Sequence, residues 1–474
     1  MPSDKPRSTG IAKCPTGIAG LDEITYGGLP RGRPTLVCGG AGSGKTLLAM
    51  EFVVRGARDF GESGVFVSFE ETSEELAANM ASLGFDLPAL VKQKKLALDY
   101  VRIERSEIQE TGEYNLEGLF VRLASAIDEV GAKRVALDSL EALFAGLPNE
   151  AILRAELRRL FQWLKHRGVT AVITAEQGRN ALTRHGMEEY ISDCVIFLDH
   201  RVFNQIATRR LRVVKYRGTS HGTNEYPTMI DASGLSVLPV SSLGLDYGVT
   251  SERVSTGVEA LDSMFDGKGY YRGSSVLIAG GAGTGKTSFA AAFADAVCRR
   301  GEHCLYLAYE ESPAQIARNM ASIGIDLAGW VKNGRLRFHA VRSTLYGLEQ
   351  HLVAIRGLVE VARTDCVVMD PITNLGSIGG TAEIAAMLTR VIDYLKQTGM
   401  TAVFTSLSAA GAAYGQTDAC VSSLMDTVLL LEQDHATGDH GRSLFIMKSR
   451  GMAHSNAVRE FKFTRHGIEL EPAT

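Results

Sequence analysis

Two stretches of this sequence have the residue types and spacing of a phosphate-binding loop (P-loop). GGAGSGKT begins at Gly39, and GGAGTGKT begins at Gly280, so each is a complete G-x-x-x-x-G-K-T motif. Glycines let backbone N–H groups curl around a polyphosphate, the lysine reaches its β and γ oxygens, and the following hydroxyl can bind Mg²⁺. We therefore expect ATP and Mg²⁺ as cofactors. A nucleotide site kept only for structure remains the alternative for either copy. The expected ATP-binding residues are Gly39, Gly40, Ala41, Gly42, Ser43, Gly44, Lys45 and Thr46, and Gly280, Gly281, Ala282, Gly283, Thr284, Gly285, Lys286 and Thr287.

The sequence around each loop also repeats. Each loop follows an apolar, strand-like run and precedes a run with helical spacing. Thr16-Gly17 pairs with Thr256-Gly257 at nearly the separation of the two P-loop lysines, which indicates duplication of a whole domain. Strands alternate with amphipathic helices, which is typical of the α/β class with a mostly parallel sheet. We predict domains at residues 1–240 and 250–474, with a linker at about 236–252.

Paired glutamates follow a predicted strand in both repeats. Glu70-Glu71 comes after GVFVSF, and Glu310-Glu311 comes after LYLAY. Ligands of a doubly wound parallel sheet bind at the carboxyl edge of its strands, which favours a functional position for both pairs. The alternative is an acidic helix start that suits the helix dipole. Thr72 with Glu75 predicts a capping box at the start of that helix.

A further acid ends a hydrophobic strand in each repeat. RVALD ends at Asp138 and CVVMD ends at Asp370, the Walker B pattern of an aspartate that holds Mg²⁺ directly or through water. We therefore predict metal sites at Thr46 with Asp138 and at Thr287 with Asp370.

Each repeat also ends a strand with a Lys-x-Arg-Gly-x-x-His motif. These cations have no obvious role in their own site, which already has a P-loop lysine. We expect them to reach the γ-phosphate of a neighbouring subunit, as trans-acting arginine fingers do. A solvated strand end is the alternative. The residues are Lys215, Arg217 and His221, and Lys448, Arg450 and His454.

The two repeats differ at one position of interest. Alignment of Asp193 with Asp426 sets Ser422 and Ser423 against Glu189 and Tyr190, so only the second repeat has adjacent hydroxyls there. Thr417 lies nearby. Adjacent serines are ordinarily found in loops, and spacing alone assigns them no role.

The composition bears on the location and the partners of the protein. The 474 residues carry a formal net charge of −4, which gives no overall attraction to nucleic acid or an anionic membrane. The seven cysteines are scattered, without a C-x-x-C pair. The first ten residues lack the apolar core of a signal peptide, and no apolar run is long enough to span a membrane. We expect a cytoplasmic protein without a membrane or nucleic-acid partner.

From about Cys14 to Leu470 the chain is similar to the KaiC family, circadian clock ATPases of the RecA superfamily with two tandem RecA-like P-loop domains. The similarity rests on both P-loops, the FEET and YEES glutamate pairs, and the segments KYRGTSHGTNEYP, KSRGMAH and TDACVSSLMDT.

This resemblance implies a homohexamer with nucleotide bound between subunits. It implies slow ATP hydrolysis in the first domain, where Glu70 and Glu71 activate water. It also implies serine autophosphorylation and dephosphorylation in the second, where Glu310 and Glu311 activate the hydroxyl. Ser422 and Ser423 match the family's phosphoacceptors. The phosphorylation state would then act as a clock-like signal.

Three features differ from the clock members. Both acceptors are serine instead of a Ser-Thr pair, and Pro371 follows Asp370 where Ser139 follows Asp138. The chain ends soon after Arg450, so we do not expect a KaiA-like partner. A KaiB-like partner is an expectation for residues 105–114.

Two other functions are alternatives to a clock-like ATPase and autokinase. A RecA- or RadA-type ATPase would show a basic groove and salt-dependent binding of single strands. An ATP-stabilised scaffold would bind nucleotide with little turnover.

Overall fold

The computed structural model describes residues 10–101, 116–144, 150–178, 181–183, 192–203, 206–239, 248, 250–408, 421–433 and 441–471. The chain divides into two compact units, Met1–Ser242 and Leu243–Thr474.

Within its described residues the first unit has a nine-stranded sheet and a two-stranded sheet, β1-β2. The order in the large sheet is β11-β10-β9-β8-β3-β7-β6-β4-β5. The strands are β1 Lys13–Cys14, β2 Leu29–Pro30, β3 Pro34–Gly39, β4 Gly64–Ser68, β5 Leu96–Tyr100, β6 Arg134–Asp138, β7 Thr170–Glu176, β8 Cys194–Phe203, β9 Ile206–Tyr216, β10 Glu225–Asp231 and β11 Gly234–Val237. The helices are α1 Leu21–Ile24, α2 Lys45–Asp59, α3 Ser73–Ala81, α4 Leu87–Lys92, α5 Glu117–Val130, α6 Leu140–Phe144 and α7 Glu150–His166.

The second unit repeats this arrangement in the residues that are described. Its large sheet has the order β16-β15-β17-β18-β14-β19-β20-β21-β22, and β12 pairs with β13. The strands are β12 Arg253–Val254, β13 Tyr270–Tyr271, β14 Ser275–Gly280, β15 Cys304–Ala308, β16 Leu336–Ala340, β17 Cys366–Asp370, β18 Thr401–Leu407, β19 Thr427–Gln433, β20 Arg442–Ser449, β21 Arg459–Thr464 and β22 Gly467–Leu470. The helices are α8 Glu259–Met264, α9 Lys286–Arg299, α10 Pro313–Ala321, α11 Leu327–Lys332, α12 Leu348–Ala362 and α13 Thr381–Gln397, with 3₁₀ turns at Ser343–Leu345 and Ile372–Ser377.

The α/β prediction is confirmed, because β3 to β8 pair in parallel and only the outer strands of the sheet are antiparallel. Successive strand residues point to opposite faces, so one strand feeds two cores. Phe66 packs with the residues of α2 on one face. Its neighbours Val65 and Val67 pack with those of α5 and α7 on the other. The predicted capping box is also confirmed, since Thr72 and Glu75 bond reciprocally at the start of α3.

A buried arginine stabilises the amino edge of the first sheet. Arg134 is fully buried, its Nε lies 2.7 Å from Glu62 Oε2, and its Nη1 donates to the Phe52 carbonyl at 2.9 Å. Arg31, which is half-exposed, binds the other Glu62 oxygen at 2.7 Å. Burial alone would raise the pKa of the Glu62 carboxyl, but the hydrogen bonds from Arg31 and Arg134 outweigh it and lower that pKa.

We expect Arg134→Met to lower the free energy of unfolding of the first unit by about 3 kcal/mol, because it leaves a partly buried carboxylate without its main partner. Arg31→Met is the matched control and should cost less than about 1 kcal/mol, since that pair faces solvent. Urea denaturation in a Trp330→Phe background would isolate the fluorescence of Trp163 in the first unit. Equal losses of unfolding free energy in the two variants would contradict the conclusion that Arg134 is the main partner of Glu62.

The Glu62 carboxyl should also make the stability of the first unit depend on pH. The stability that Glu62 contributes should be present above its unfolded pKa and be lost as the pH falls through its lowered folded pKa. Urea denaturation at a series of pH values would measure this loss.

Candidate functional site

The two P-loops have the backbone shape that a phosphate cradle requires. Gly42 and Gly44 have φ angles of 70° and 100°, and Gly283 and Gly285 have angles of 75° and 102°, a region that favours glycine. Gly44 and Gly285 precede α2 and α9, so each cradle opens at a helix N-terminus.

Each P-loop lysine folds back onto its own loop. Lys45 Nζ donates to the carbonyl oxygens of Gly39 and Gly40, both at 2.9 Å. Lys286 Nζ donates to those of Gly280 and Gly281 at 2.9 and 2.7 Å. Burial lowers the pKa of Lys286, while the charges of Asp370 and Glu310 raise it. Each ammonium is therefore held at the mouth of its cradle.

The predicted metal residues lie together in both units. Thr287 Oγ1 donates to Asp370 Oδ1 at 3.3 Å, and Thr46 bonds to Asp138 in the same way. Burial raises the pKa of Asp138, against the hydrogen bonds from Thr174 and Thr46. A hydroxyl and a carboxylate beside a phosphate cradle are the hard oxygen ligands that Mg²⁺ prefers, so these residues fit that ion.

Sequence reasoning missed the residues that hold the two aspartates in place. Thr174 on β7 donates to Asp138, and Thr405 at the matching position of β18 donates to Asp370. Tyr306 adds a hydrogen bond of 2.6 Å to Asp370. The repeat of a threonine at one position of TAVITAE and TAVFTSL was the available signal.

The glutamate pairs lie beside these aspartates. The backbone N–H of Phe69 donates to the Asp138 carbonyl at 2.8 Å, which places Glu70 and Glu71 next to the metal residues. Ser139 Oγ donates to Glu70 Oε1 at 2.8 Å. Burial raises the pKa of Glu71, and the charge of Asp138 adds to that shift.

The second unit has the same backbone arrangement with different side chains. The N–H of Tyr309 donates to the Asp370 carbonyl at 2.9 Å, which brings Glu310 and Glu311 to the equivalent position. Asn319 Nδ2 donates to Glu311 Oε2 at 3.4 Å. Pro371 stands where Ser139 does and has no hydroxyl, so it cannot give Glu310 the hydrogen bond that Ser139 gives Glu70.

A carboxylate that the sequence did not single out reaches the first P-loop. Glu176, at the end of β7, lies 3.5 Å from Lys45 Nζ, and its backbone N–H donates to Glu141 Oε1 at 2.6 Å. The same position in the second unit is Leu407, whose N–H donates to Thr373 Oγ1 at 3.3 Å. The first P-loop lysine therefore has an acidic neighbour at a position where the second unit has an apolar side chain.

The basic motifs lie at the other edge of each sheet. Arg217 N–H donates to the carbonyl of Asp193, just before β8, at 2.9 Å. Lys215 pairs with Val195 near the amino end of β8. His221 Nδ1 lies 2.9 Å from the Gly222 carbonyl oxygen. Lys215 and Arg217 therefore lie at the opposite edge of the sheet from their own P-loop.

In the second unit the basic motif holds the serine segment. Lys448 Nζ donates to the Ser422 carbonyl at 2.7 Å, and Arg450 Nη2 donates to the Ser423 carbonyl at 2.6 Å. His454 Nδ1 lies 3.0 Å from the Met452 carbonyl oxygen. The segment is tied to the amino end of β14, because Asp426 Oδ2 accepts from the Ser275 N–H at 2.9 Å.

The length of β14 separates these groups from the P-loop of the same chain. β14 spans the residues from Ser275 to Gly280, where the P-loop begins. A strand rises about 3.3 Å per residue, so the two ends lie about 16 Å apart. Ser422 and Ser423 are therefore at one end of the strand and Lys286 is at the other.

Some predicted residues lie outside the part of the chain that is described, namely Thr417, Glu189, Tyr190 and residues 105–114. Among the described helices, none has the length and apolar character needed to cross a membrane. Within the described ranges, no group of three or more His, Cys, Asp or Glu side chains is arranged to hold a metal ion.

Comparison with known proteins places both sites within one family model. The model described as "ATPase: KaiC" matches residues 14–242 and 254–474. Circadian clock protein KaiC2 of Synechocystis sp. is 54% identical over 470 residues, which cover 99% of this chain and 83% of that relative. Circadian clock oscillator protein KaiC of Parathermosynechococcus lividus is 35% identical over 464 residues, covering 97% and 86%. The Synechococcus elongatus protein of that name is 34% identical over 473 residues, covering 99% and 91%.

We expect Glu176→Leu to tighten ATP binding at the first P-loop by about two- to fivefold, because the carboxylate competes with phosphate for Lys45. The reciprocal variant, Leu407→Glu, should weaken binding at the second P-loop. Titration of a fluorescent ATP analogue would measure each site, with the other silenced by Lys286→Ala or Lys45→Ala. Unchanged or weaker binding by Glu176→Leu would show that the carboxylate does not compete.

Proposed function

The chain belongs to the KaiC ATPase family, and from that premise we propose that it is an ATP-dependent ring protein whose first domain hydrolyses ATP and whose second domain phosphorylates its own serines. The proposal includes removal of that phosphate by the same domain. The phosphorylation state would act as a clock-like signal, in keeping with the names of its relatives.

One observation supports the ring most directly, namely the separation of acceptor and phosphate donor. Ser422 and Ser423 are tied to the amino end of β14, and Lys286 follows its carboxyl end. A reacting hydroxyl must approach the γ-phosphorus to about 3–3.5 Å, whereas the strand alone spans about 16 Å. We therefore infer that the serines of one chain receive phosphate from the ATP of the next.

The same geometry applies to the cations. Arg217 and Lys215 lie at the amino edge of the first sheet, as Lys448 and Arg450 do in the second. In a ring that joins the amino edge of one subunit to the carboxyl edge of its neighbour, they would offset the charge that develops on the γ-phosphoryl group. A homohexamer is the ring that we propose.

In the first domain we assign water activation to Glu70 and Glu71. The raised pKa of Glu71 makes its carboxylate a better proton acceptor than an ordinary surface glutamate. The Ser139 hydrogen bond fixes the Glu70 carboxylate beside Asp138. The oxygen of water attacks the γ-phosphorus, the bond to the β-phosphate oxygen breaks, and ADP and inorganic phosphate leave.

In the second domain we assign the corresponding role to Glu310 and Glu311. Either carboxylate would accept the proton of a serine hydroxyl from the neighbouring chain. The serine oxygen then bonds to the γ-phosphorus as the bond to the β-phosphate oxygen breaks, and ADP leaves. The product is phosphoserine at Ser422 or Ser423.

Mg²⁺ would be held by Thr46 with Asp138 and by Thr287 with Asp370, together with the nucleotide phosphates. When bound, it would neutralise charge on the β- and γ-phosphate oxygens. We further propose a cytoplasmic location, a KaiB-like partner at residues 105–114, and neither a membrane nor a nucleic-acid partner.

We expect Glu70→Gln/Glu71→Gln to lower phosphate release by about a hundredfold or more, because neither amide can accept the proton, while Ser422 and Ser423 are still phosphorylated. Glu310→Gln/Glu311→Gln should have the opposite pattern. Phosphate release and phosphopeptide mass spectrometry with Mg·ATP would measure the two activities in each variant.

Glu74→Gln is the matched control, since this exposed acid in the first turn of α3 lies outside the proposed machinery. Ser422→Ala/Ser423→Ala sets the background for phosphorylation. If both glutamine variants retain both activities, the glutamate assignment is wrong. Loss of hydrolysis alone, with no phosphoserine in the wild-type chain, would leave an ATPase without an autokinase.

A further inference from the structure

A surface pocket of about 420 Å³ lies at the amino edge of the second sheet, away from the P-loop. Its lining includes His303, immediately before β15, and Arg337 on β16. The turn between α12 and β17 contributes Arg363 and Thr364. Because β15, β16 and β17 are parallel, their amino ends meet here, whereas Lys286 is at the carboxyl edge.

The pocket is strongly basic. Arg335, Arg337 and Arg363 all line it, and its lining contains no carboxylate. Arg335 Nη1 donates to the Cys298 carbonyl at 3.1 Å, which fixes one guanidinium at the wall. In the described part of the chain, neither Arg337 nor Arg363 forms an ion pair with an acid. His303 Nδ1 lies 3.6 Å from Asp365, which is about half-exposed.

A buried hydroxyl in the same wall lacks a partner. Thr364 is only 6% exposed, and its Oγ1 has no hydrogen-bond partner among the residues that the structure describes. A buried polar group without a partner is costly, so Thr364 is an unsatisfied position in the wall of the pocket.

The first domain lacks these groups at the matching positions. By strand register Ala97 corresponds to Arg337, and Gly131 and Ala132 correspond to Arg363 and Thr364. Arg363 has a φ of 47°, in the left-handed region where the first domain has Gly131 at 63°. The second domain thus carries an arginine where its backbone conformation favours glycine.

We propose that this pocket binds a small phosphate-bearing anion at a site distinct from both P-loops. Guanidinium groups match the oxygens of phosphate in pairs, and three of them around one pocket favour a ligand with more than one negative charge. The volume accommodates a diphosphate-sized anion. The site would make the second domain, and not the first, responsive to such an anion.

Isothermal titration calorimetry of the full chain with sodium pyrophosphate tests the proposal. Mg·ATPγS is kept at saturation to fill both P-loops, and Mg²⁺ is kept in excess. We expect saturable binding that Arg337→Ala/Arg363→Gly weakens by about tenfold or more, because two charge-assisted contacts are lost. Both replacements install the residues of the first domain, and glycine suits the backbone at position 363.

Arg465→Ala is the matched control, since it removes an exposed arginine from the β21–β22 turn and should change the affinity by less than about twofold. Thermal unfolding of each variant checks that the fold is kept. A parallel titration with inorganic phosphate distinguishes a single phosphate from a diphosphate as the preferred ligand. No saturable binding of either anion, or equal affinity in the double variant and the wild type, would overturn the proposal.

Discussion

The parallel pairing of the central strands is the constraint on which both halves of this protein depend. All parallel strands end at one edge of the sheet, so the P-loop, the Walker B aspartate and the glutamate pair lie together at that edge. The antiparallel strand that follows returns its basic end to the other edge. A single domain therefore contains both a phosphate cradle and a set of cations, but on opposite edges of one rigid sheet.

The two domains use this common frame with different side chains. Asp370 accepts hydrogen bonds from Tyr306, Thr405 and Thr287, whereas Phe66 stands at the position of Tyr306 in the first domain and has no hydroxyl. Ser139 orients Glu70, while Pro371 gives Glu310 no such bond. Because the two sheets share one strand order, the domains differ at the site in these side chains, including Glu176 beside the first P-loop.

Much of the site could be predicted from the sequence, because its main residues directly follow or end an apolar strand. The P-loops and Asp138 or Asp370 follow apolar strands, and strand order is not needed to place them at the carboxyl edge. Thr174 and Thr405 could not be recognised in this way, because a threonine inside a buried strand resembles ordinary core. Their role depends on which strand lies beside which.

The basic pocket was also beyond sequence reasoning, for a related reason. Arg337 and Arg363 belong to different elements and meet only because β16 and β17 flank β15. Comparison of the two repeats identifies such residues. Where one repeat has a charged residue and the other has alanine or glycine, the fold does not require the charge, and one domain has acquired it.

The central claim is that phosphate passes between chains, and a subunit-mixing experiment tests it most directly. One chain would carry Lys286→Ala and intact serines, and the other would carry Ser422→Ala/Ser423→Ala and an intact P-loop. The two are mixed before ring assembly and incubated with Mg·ATP, and phosphopeptides are assigned by mass. We predict phosphoserine on the Lys286→Ala chain in the mixture and none on either chain alone. Phosphorylation of wild-type chains, with none on the Lys286→Ala chain in a verified mixed ring, would contradict transfer between subunits.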